Sequence, residues 1–421
     1  MPYKAKPKKI RRRGPSVFRK GNGKKILKYL GYGVLAAVVI ASGYFLPQMI
    51  KNSGPDSSSA SSSSAATQTT TPSDSSQQTT TTTAPPVVTG EGTLRAFYLP
   101  LAQLTDTAAL QPKLEQAAAA GFNAVVFDLK DATGNLHYVS ATPLAVQSKA
   151  ITADAVSIDK LKAALDFLKE KGFTAIPRLY AFEDHTAPFA LESAKITLKE
   201  YPTYTWLDNS KEKGGKPWLN PYSVDAHAYI TELAKELSNT GFTVLMLDGV
   251  QFPNQTSQAY YGESALTSLS QSDVLKKFIT DLSAAVGDHC RVLQTMPGLS
   301  AFREATDAFG GNPVTFGSDT VCPVLMPSTL GSKLSVGETT VSDPASSPYD
   351  AVRLAATQVN LRLELIDRQT RPILMPWLQG YDYSSAQMLQ QIQAITEALG
   401  DEASYILYNA DGSYDFSALK P

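Results

Sequence analysis

The 421-residue sequence is poor in the residues that usually hold metals or cross-links. It contains two cysteines and four histidines, His137, His185, His227 and His289, and no pair of histidines has ligand spacing on one helix. Cys290 and Cys322 lie near the starts of adjacent predicted strands. The two cysteines can form a disulfide if the protein is extracellular, but we expect two buried free thiols. The sequence therefore predicts no metal ligands and no cofactor.

One long segment of the chain contains no charged residues, and another contains no acidic residues. Residues 29–50 are uncharged, whereas residues 1–28 hold twelve Lys or Arg and no acid. In a helix, 22 residues span about 33 Å, enough for the hydrocarbon core of a bilayer. The positive-inside rule then predicts a single-pass anchor in the cell membrane with a cytoplasmic N-terminus and an extracellular C-terminal domain. Cleavage as a signal peptide at Ala41-Ser42-Gly43 is the alternative, disfavoured because the apolar run continues past that site.

The rest of the chain is acidic. Beyond residue 28, 26 basic residues face all 39 acidic ones, which argues against nucleic-acid binding by this part. Residues 51–92, mostly Ser, Thr and Pro, lack the apolar content that offsets ordering entropy. The predicted organisation is a basic cytoplasmic tail (1–28), a transmembrane anchor (29–50), a disordered linker (51–92) and a globular domain (93–421).

The globular part alternates short apolar segments with longer helix-like segments. The predicted strands are Leu94–Leu99, Ala124–Leu129, Thr174–Tyr180, Val244–Leu247, Arg291–Thr295, Thr320–Met326, Ile373–Leu378 and Ser404–Tyr408. The predicted helices are Thr107–Ala120, Ile158–Lys171, Val224–Thr240, Ser272–Val286, Tyr349–Arg368 and Ala386–Leu399. Eight such alternations predict an α/β fold, the (β/α)8 TIM barrel. An open doubly wound sheet is the alternative, but no Gly-x-Gly-x-x-Gly follows the first strand.

Polar residues at the carboxyl ends of barrel strands become neighbours, because those ends converge on one face. The candidates for substrate binding are Tyr98, Asp128, Arg178, Glu183, Gln251, Gln294, Trp377, Gln379, Asp382 and Asn409. A mixture of acids, an arginine, amides and aromatic rings favours a sugar-binding cleft over a phosphate site. For Asp128, Lys130 and Arg178, an ion-pair network that only supports the barrel mouth is as good an interpretation as a role in binding. Trp377 and Trp218 can stack on sugars or simply pack the rim.

Glycoside hydrolysis requires two carboxyl groups on opposite sides of the scissile bond. Asp248 directly follows the apolar strand Val244–Leu247 and is the first candidate, although it could also only cap the following turn. Asp131 is the preferred partner, with Glu183 or Asp382 as alternatives for the second role.

Several segments at the predicted strand ends carry a family resemblance. They are Phe127-Asp128-Leu129-Lys130-Asp131, Trp218-Leu219-Asn220-Pro221-Tyr222, Leu247-Asp248-Gly249-Val250-Gln251-Phe252-Pro253, Pro323-Val324-Leu325-Met326-Pro327-Ser328, Pro376-Trp377-Leu378-Gln379 and Asn409-Ala410. In this order, over nearly all of residues 93–421, the chain resembles a little-characterised bacterial family of glycoside-hydrolase-type TIM-barrel surface domains. The resemblance implies action on a cell-wall or extracellular polysaccharide, with Asp248 as nucleophile or stabilising carboxylate and Asp131 as acid.

The chain departs from that family's pattern at several pocket positions. Gly249 and Gln251 stand where the family has tyrosine and arginine, and Thr295 and Gly380 stand where it has aspartates; Met326, Thr329 and Leu330 replace a tyrosine, a histidine and an aromatic residue. Loss of one required carboxyl group would remove general acid–base catalysis but leave a cleft able to bind.

Two functions therefore stay open. One is a membrane-anchored glycoside hydrolase of a polysaccharide, and the other is a catalytically inactive glycan-binding or scaffold domain on the same barrel. A third function is a protein-interaction module that uses loop 201–220 or insertion 297–319. Only the length of these loops supports it.

Overall fold

Eight parallel strands close into a barrel in the computed structural model, which describes residues 92–254, 256–303 and 308–420. The strands are β1 (Arg95–Tyr98), β2 (Ala124–Lys130), β3 (Thr174–Tyr180), β4 (Val244–Asp248), β5 (Arg291–Pro297), β6 (Thr320–Val324), β7 (Ile373–Leu374 and Trp377–Gln379) and β8 (Tyr405–Tyr408). Each strand pairs with its neighbours in sequence, and β1 pairs with both β2 and β8, which closes the sheet. The predicted (β/α)8 barrel is confirmed.

Six long helices surround the barrel: α1 (Thr107–Ala119), α2 (Ile158–Glu170), α3 (Val224–Thr240), α4 (Gln271–Val286), α5 (Pro348–Leu363) and α6 (Ser385–Leu399). Their bounds match the prediction closely except at the end of α5, which stops five residues before Arg368. There Asp367 accepts a hydrogen bond from the Gln369 N–H (2.8 Å), so its side chain forms a turn instead of extending the helix. Between β5 and β6 the described residues contain only the short helix Gly298–Phe302 and a 3-10 turn, Pro313–Thr315.

Shorter elements lie in the connections. They are the strands Leu136–Tyr138, Ile151–Val156, Thr197–Leu198, Ala259–Tyr260, Leu334–Val336 and Thr339–Val341, the helices Leu101–Leu104 and Pro143–Ser148, and the 3-10 turns Ala187–Phe189, Glu192–Ala194, Lys211–Lys213, Pro327–Thr329 and Phe416–Leu419.

Serine side chains start four of the long helices. Ser157, Ser223, Ser270 and Ser384 each accept a hydrogen bond from a backbone N–H in the first turn of α2, α3, α4 and α6. Each such cap satisfies a helix donor that would otherwise lack a partner, and contributes about 1 kcal/mol. The caps fix where each helix begins and hence the length of the loop that precedes it.

The core has two layers because strand side chains alternate between the two faces of the sheet. Phe127 and Leu129 of β2 pack outward against the helices, whereas Ala124 and Val126 point into the barrel. The barrel interior is filled by small and medium side chains, among them Ala96, Ile176, Met246, Leu293, Cys322, Met375 and Ile406. The inward-facing side chain nearest the carboxyl end of each strand therefore lies above a packed core.

The two faces of the barrel are distinct. The carboxyl ends of all eight strands meet at one face and the amino ends at the other. Gly92, where the described residues begin, comes three residues before β1 and so lies at the amino-end face.

The connections after β3 and β4 are joined into one rim of the barrel. Thr197–Leu198 pairs antiparallel with Ala259–Tyr260. Beneath this pair lies a small separate core of Ile196, Trp206 and Trp218. Trp218 is 6% exposed and donates from Nε1 to Asp208 Oδ2 (3.2 Å), so it packs the rim.

Cys290 and Cys322 are both buried and free, as expected from the sequence. The predicted tail, membrane anchor and nearly all of the linker lie outside the described residues. Within residues 92–254, 256–303 and 308–420, no helix combines the length and apolar character needed to cross a bilayer.

Candidate active site

A cavity of about 450 Å³ opens at the carboxyl ends of the strands. Six of its lining residues face inward near the carboxyl ends of their strands, namely Arg178, Asp248, Thr295, Val324, Trp377 and Tyr408. Loop and neighbouring residues complete it: Ala132, Tyr180, Glu183, Gln251, Met296, Pro297, Gly298, Leu299, Met326 and Thr329. The fold thus collects side chains from all parts of the domain at one point.

Arg178 is the central charge of the site. Its Nε donates to Asp128 Oδ1 (2.6 Å) and its Nη2 to Asp128 Oδ2 (3.0 Å), a two-point ion pair. Its Nη1 donates to Asp248 Oδ2 (3.3 Å). With Arg178 only 8% exposed, these contacts are shielded from water and are stronger than surface pairs. One guanidinium therefore holds two carboxylates at fixed positions.

Aromatic rings surround this guanidinium. Its central carbon lies 4.9 Å from the Trp377 ring centroid, 5.1 Å from that of Tyr180 and 5.7 Å from that of Tyr98. The Tyr98 hydroxyl donates to Asp128 Oδ2 (3.0 Å) and the Trp377 Nε1–H donates to Thr295 Oγ1 (3.2 Å). These cation–π contacts and hydrogen bonds leave Arg178 little rotational freedom.

Asp248 lies in the cavity wall with its side chain 15% exposed. Burial raises the pKa of its carboxyl group, and the Arg178 guanidinium and the Gly249 N–H act in the opposite direction. The Gly249 N–H donates to Asp248 Oδ1 (2.8 Å), so both carboxylate oxygens have a donor. The pKa of Asp248 is raised overall, and these two donors limit the rise because they stabilise the ionised form.

Glu183 is the second carboxyl group in the cavity wall. Burial, followed by the nearby charges of Asp248 and Asp208, raises its pKa to about 7. Within the described part of the chain it has no hydrogen-bond or ion-pair partner among the side chains or N–H groups. Its carboxyl group is therefore about half protonated at pH 7 and largely protonated below it.

Backbone contacts hold Glu183 beside Asp248. The Ala181 N–H donates to the Asp248 carbonyl (2.7 Å) and the Phe182 N–H to that of Gly249 (3.1 Å). A Cβ placed on Gly249 would lie 2.9 Å from Glu183 Cβ, closer than such atoms approach. The absence of a side chain at position 249 is what lets the Glu183 backbone come this near.

A buried ion pair fixes the residue after Glu183. Lys130 Nζ lies 2.7 Å from Asp184 Oδ2, and both side chains are fully buried. Lys130 also donates to the Tyr180 carbonyl (2.8 Å), and Asp184 Oδ1 accepts from the N–H groups of Thr186 and Ala187 (2.8 Å each). The pair joins the end of β2 to the loop after β3, which carries Glu183.

Asp131 does not line the cavity, although its neighbour Ala132 does. Its Oδ1 accepts from the Thr133 N–H (2.8 Å), the Thr133 hydroxyl (2.7 Å) and the Asn135 N–H (3.1 Å), and its Oδ2 lies 2.9 Å from His137 Nε2. Burial acts to raise its pKa, but the hydrogen bonds from His137 and Thr133 outweigh it and hold the pKa well below the usual range. Asp131 is thus ionised, and both of its carboxylate oxygens bind residues of its own turn.

The other predicted site residues fall into two groups. Arg178, Glu183, Asp248, Gln251 and Trp377 line the cavity, and Tyr98 and Asp128 contact Arg178. The residues outside it are Asp131, Gln294, Gln379, Asp382 and Asn409.

Four of the residues outside the cavity are placed as follows. Gln294 is fully buried near the Ser318 hydroxyl, since its position in β5 alternates with the inward-facing Leu293 and Thr295. Gln379 accepts from the Ser328 N–H (3.1 Å) and Asn409 donates to the Ser413 carbonyl (2.9 Å), so both hold loops together. Asp382 is exposed, with a left-handed backbone (φ 56°).

Part of the cavity wall is apolar, and of its four residues only Met326 was noted from the sequence as a pocket position. Met296, Leu299, Val324 and Met326, from β5, β6 and the loops after them, make that wall apolar. A search for polar side chains passes over them. Tyr408 and Tyr180 could have been found, because each lies two residues beyond an inward-facing position, Ile406 and Arg178.

Among the residues that the structure describes, no three His, Cys, Asp or Glu side chains are grouped so as to hold a metal ion. Arg178 forms ion pairs with both Asp128 and Asp248.

Comparison with known proteins gives one family and several solved structures. A family model described as "Putative glycosyl hydrolase domain" matches residues 96–414. No curated protein matches the chain at a significant level. A hypothetical protein from Ruminiclostridium thermocellum ATCC 27405 is 21% identical over 47% of this chain and 96% of that one, with a TM-score of 0.41.

Two further structures align with 78% of the chain. The catalytic domain of a β-amylase from Paenibacillus polymyxa is 12% identical, is covered over 97% of its length and has a TM-score of 0.47. A GH20 exo β-N-acetylglucosaminidase from Vibrio harveyi is 9% identical and has a TM-score of 0.46, and the alignment spans only 54% of its chain.

Proposed function

The chain belongs to the putative glycosyl hydrolase domain family, and from this premise we propose that it is a glycoside hydrolase with Asp248 and Glu183 as its catalytic pair. One observation carries the proposal. Two carboxyl groups in the wall of one cavity have different environments, since Asp248 has an arginine and an N–H donor and Glu183 has neither among the residues that the structure describes. Pairs of acids that are held in different protonation states divide the roles of acid and base between them.

In this proposal Glu183 is the general acid. It is protonated below a pKa of about 7 and donates its proton to the glycosidic oxygen as the bond from that oxygen to the anomeric carbon breaks. Asp248, ionised beside Arg178, stabilises the positive charge that develops on the sugar ring, either by bonding to the anomeric carbon or by activating the attacking water. Water supplies the hydroxyl of the new reducing end.

Assignment of the acid to Glu183 departs from the first expectation, which was Asp131. An acid must hold its proton at the working pH, and Asp131 is ionised by four contacts within its own turn. Glu183 was the alternative named from the sequence, and it lines the cavity, whereas Asp131 does not.

A second candidate function is glycan binding without hydrolysis. It is favoured by Thr295, which lines the cavity and accepts a hydrogen bond from Trp377 Nε1. The family resemblance implies an aspartate at this position. If that aspartate is the acid elsewhere, this chain depends on Glu183 alone for the role.

The experiment compares the full-length chain with Asp248→Asn, Glu183→Gln and Asp382→Asn on neutral polysaccharides and on 2,4-dinitrophenyl glycosides. We expect Asp248→Asn to lose both activities. Glu183→Gln should lose polysaccharide hydrolysis but keep much of the activity on the dinitrophenyl substrate, whose leaving group needs no protonation. Asp382→Asn, an exposed acid, is the control and should behave as the parent. Binding without cleavage by all four proteins would support the second candidate instead.

We further propose that residues 29–50 anchor the chain in the cell membrane and that the domain acts outside the cell on a cell-wall or extracellular polysaccharide. The uncharged 22-residue run and the twelve basic residues before it support this topology. Protease added to intact cells should digest the domain and leave an N-terminal fragment protected. Protection of the whole chain would contradict the proposal.

A further inference from the structure

The rim formed by the connections after β3 and β4 contains a second open groove of about 390 Å³. Its lining includes Pro202, Asn220, Tyr222, Tyr260 and Tyr261. None of its lining residues is shared with the cavity that holds Asp248. The groove is therefore a separate feature of the carboxyl-end face of the barrel.

Two exposed tyrosines stand at the edge of this groove. Tyr201 and Tyr204 are 59% and 65% exposed, and their rings meet edge to face with centroids 6.1 Å apart. They flank Pro202, which lines the groove, in a turn closed by a hydrogen bond from the Tyr204 N–H to the Tyr201 carbonyl (2.9 Å). Proline at the second position of the turn restricts the backbone and so holds both rings in place.

The turn is supported from below. The Leu198 N–H donates to the Tyr204 carbonyl (3.0 Å), and Thr197 bridges to Thr205. Trp206, 2% exposed, donates from its indole nitrogen to the Ser257 carbonyl (2.9 Å) and joins the turn to the β4 connection. Burial of Trp206 stabilises this part of the rim, whereas the exposed rings of Tyr201 and Tyr204 contribute little burial to the fold. A preformed aromatic surface of this kind loses little conformational entropy on binding.

The charges around the groove indicate which ligand it takes. Three carboxylates line it, Glu192, Asp225 and Glu263, against one amine, Lys195, which is paired with Glu192. This balance disfavours polyanions such as polyuronates and nucleic acids. Carboxylates match sugar hydroxyls, and tyrosine rings match the apolar C–H faces of sugar rings. The Tyr261 hydroxyl is also buried, with no hydrogen-bond partner in the part of the chain described.

We propose that the groove and the Tyr201–Tyr204 turn form an accessory binding site for a neutral polysaccharide chain, distinct from the cavity that holds Asp248. The groove lies on the loops that follow β3 and β4, and the cavity opens at the carboxyl ends of the strands, on the same face of the barrel. The site holds one stretch of a polymer against the domain while another stretch reaches the cavity. This inference shares with the proposed function the premise that the ligand is a polysaccharide, but the two are tested by different readouts.

The test uses the full-length chain in an Asp248→Asn background, so that hydrolysis does not consume the ligand. Binding to insoluble cellulose, chitin, xylan and mannan is measured by depletion, with polygalacturonate as the anionic probe. Tyr201→Ala/Tyr204→Ala should weaken binding to the neutral polymer that the parent retains by about tenfold or more, as loss of aromatic anchors does elsewhere. Tyr260→Ala, within the groove, should weaken the same binding.

Leu361→Ala/Leu365→Ala removes two side chains that are 50% and 86% exposed near the end of α5, and should leave binding unchanged. In the otherwise wild-type chain, the tyrosine variant should hydrolyse a small aryl glycoside at the parental rate and show a raised KM on the polymer. The inference is overturned if the tyrosine variant binds every neutral polymer as the parent does, or if only polygalacturonate is bound. Absence of hydrolysis with tyrosine-dependent binding would instead refute the proposed catalytic function and leave this site standing.

Discussion

Glu183 and Asp248 differ in what their carboxyl oxygens contact. Both are buried, and burial raises the pKa of each. Asp248 receives hydrogen bonds from Arg178 and from the Gly249 N–H, which favour its charged form. Glu183 receives none within the described residues, and the negative charge of Asp248 further favours its protonated form. A carboxylate and a carboxylic acid can therefore coexist in one cavity at neutral pH.

We predict that kcat/KM falls as the pH rises through about 7, because Glu183 then loses the proton that it must donate. On the acid side, activity should fall as Asp248 becomes protonated. The pH profiles of the parent on a polysaccharide and on a dinitrophenyl glycoside check this, since the alkaline limb should appear on the polysaccharide and be weak or absent on the dinitrophenyl substrate, whose leaving group needs no protonation. An alkaline limb that persists in Glu183→Gln would assign the titrating group to another residue.

The same residue should lower the stability of the fold above neutral pH. The pKa of Glu183 is higher in the folded state than in the unfolded chain, so the folded state binds the proton more tightly. The resulting stabilisation is complete below the unfolded value and is lost as the pH rises to about 7. Glu183→Gln should therefore raise the free energy of unfolding at pH 8 by roughly 2–3 kcal/mol.

Thermal unfolding at pH 5 and pH 8 measures this difference. Glu170→Gln, at a side chain that is 69% exposed, is the control and should change little at either pH. Equal stability of the parent and Glu183→Gln at pH 8 would mean that ionised Glu183 costs the fold nothing.

At the level of elements, the tight approach of the loops after β3 and β4 depends on Gly249. Its backbone is left-handed (φ 59°), and an added Cβ would meet the Cβ and N of Glu183 at 2.9 and 3.3 Å. Gly249→Ala should displace Glu183 and lower kcat by about tenfold or more, since small misplacements of catalytic groups have such effects.

Gly337 provides the matched control for this change. It also has a left-handed backbone (φ 56°), but nothing lies within 4 Å of its added Cβ. Gly337→Ala should therefore cost about 1–2 kcal/mol in stability from backbone strain alone and leave kcat unchanged. If both variants retain the parental kcat, the close contact between Gly249 and Glu183 is not needed for catalysis.

The pair of Lys130 and Asp184 secures the same loop from the side of β2. Lys130→Met leaves the fully buried Asp184 without its cation and should destabilise the fold by about 3–5 kcal/mol. Urea unfolding measures this cost. Lys277→Met breaks the exposed pair with Asp281 on α4 and should cost less than about 0.5 kcal/mol. A similar small cost for Lys130→Met would show that the buried pair is replaceable.

Much of this element structure follows from the sequence pattern. The alternation of short apolar runs with longer helix-like segments predicted the strands and helices to within a few residues, because both depend on local side-chain periodicity. The placement of Asp248 at the carboxyl end of β4 followed in the same way. Whether an acid faces the cavity or its own turn depends instead on loop geometry. Asp131 is enclosed by Thr133, Asn135 and His137, which the spacing of strands does not reveal.

At the scale of the whole molecule, the proposed anchor and the barrel should be separable. Deletion of residues 1–50 should move the protein from the membrane fraction to the soluble fraction, because it removes the uncharged run and the basic segment. Values of kcat/KM for a small substrate should stay within about twofold, since every residue of the cavity lies within 132–408. Fractionation and kinetics on the same preparations check both parts. A truncated chain that remains in the membrane fraction would contradict the anchor.

The start of β1 at the amino-end face also has a practical consequence. Gly92 lies on the side opposite the mouth of the cavity, so a bead, a carrier protein or a surface attached at Gly92 itself leaves the mouth open to an incoming polymer. A domain held at this residue can therefore be approached by large insoluble material from the cavity side. For immobilisation, the Gly92 end of the domain is accordingly the one to use.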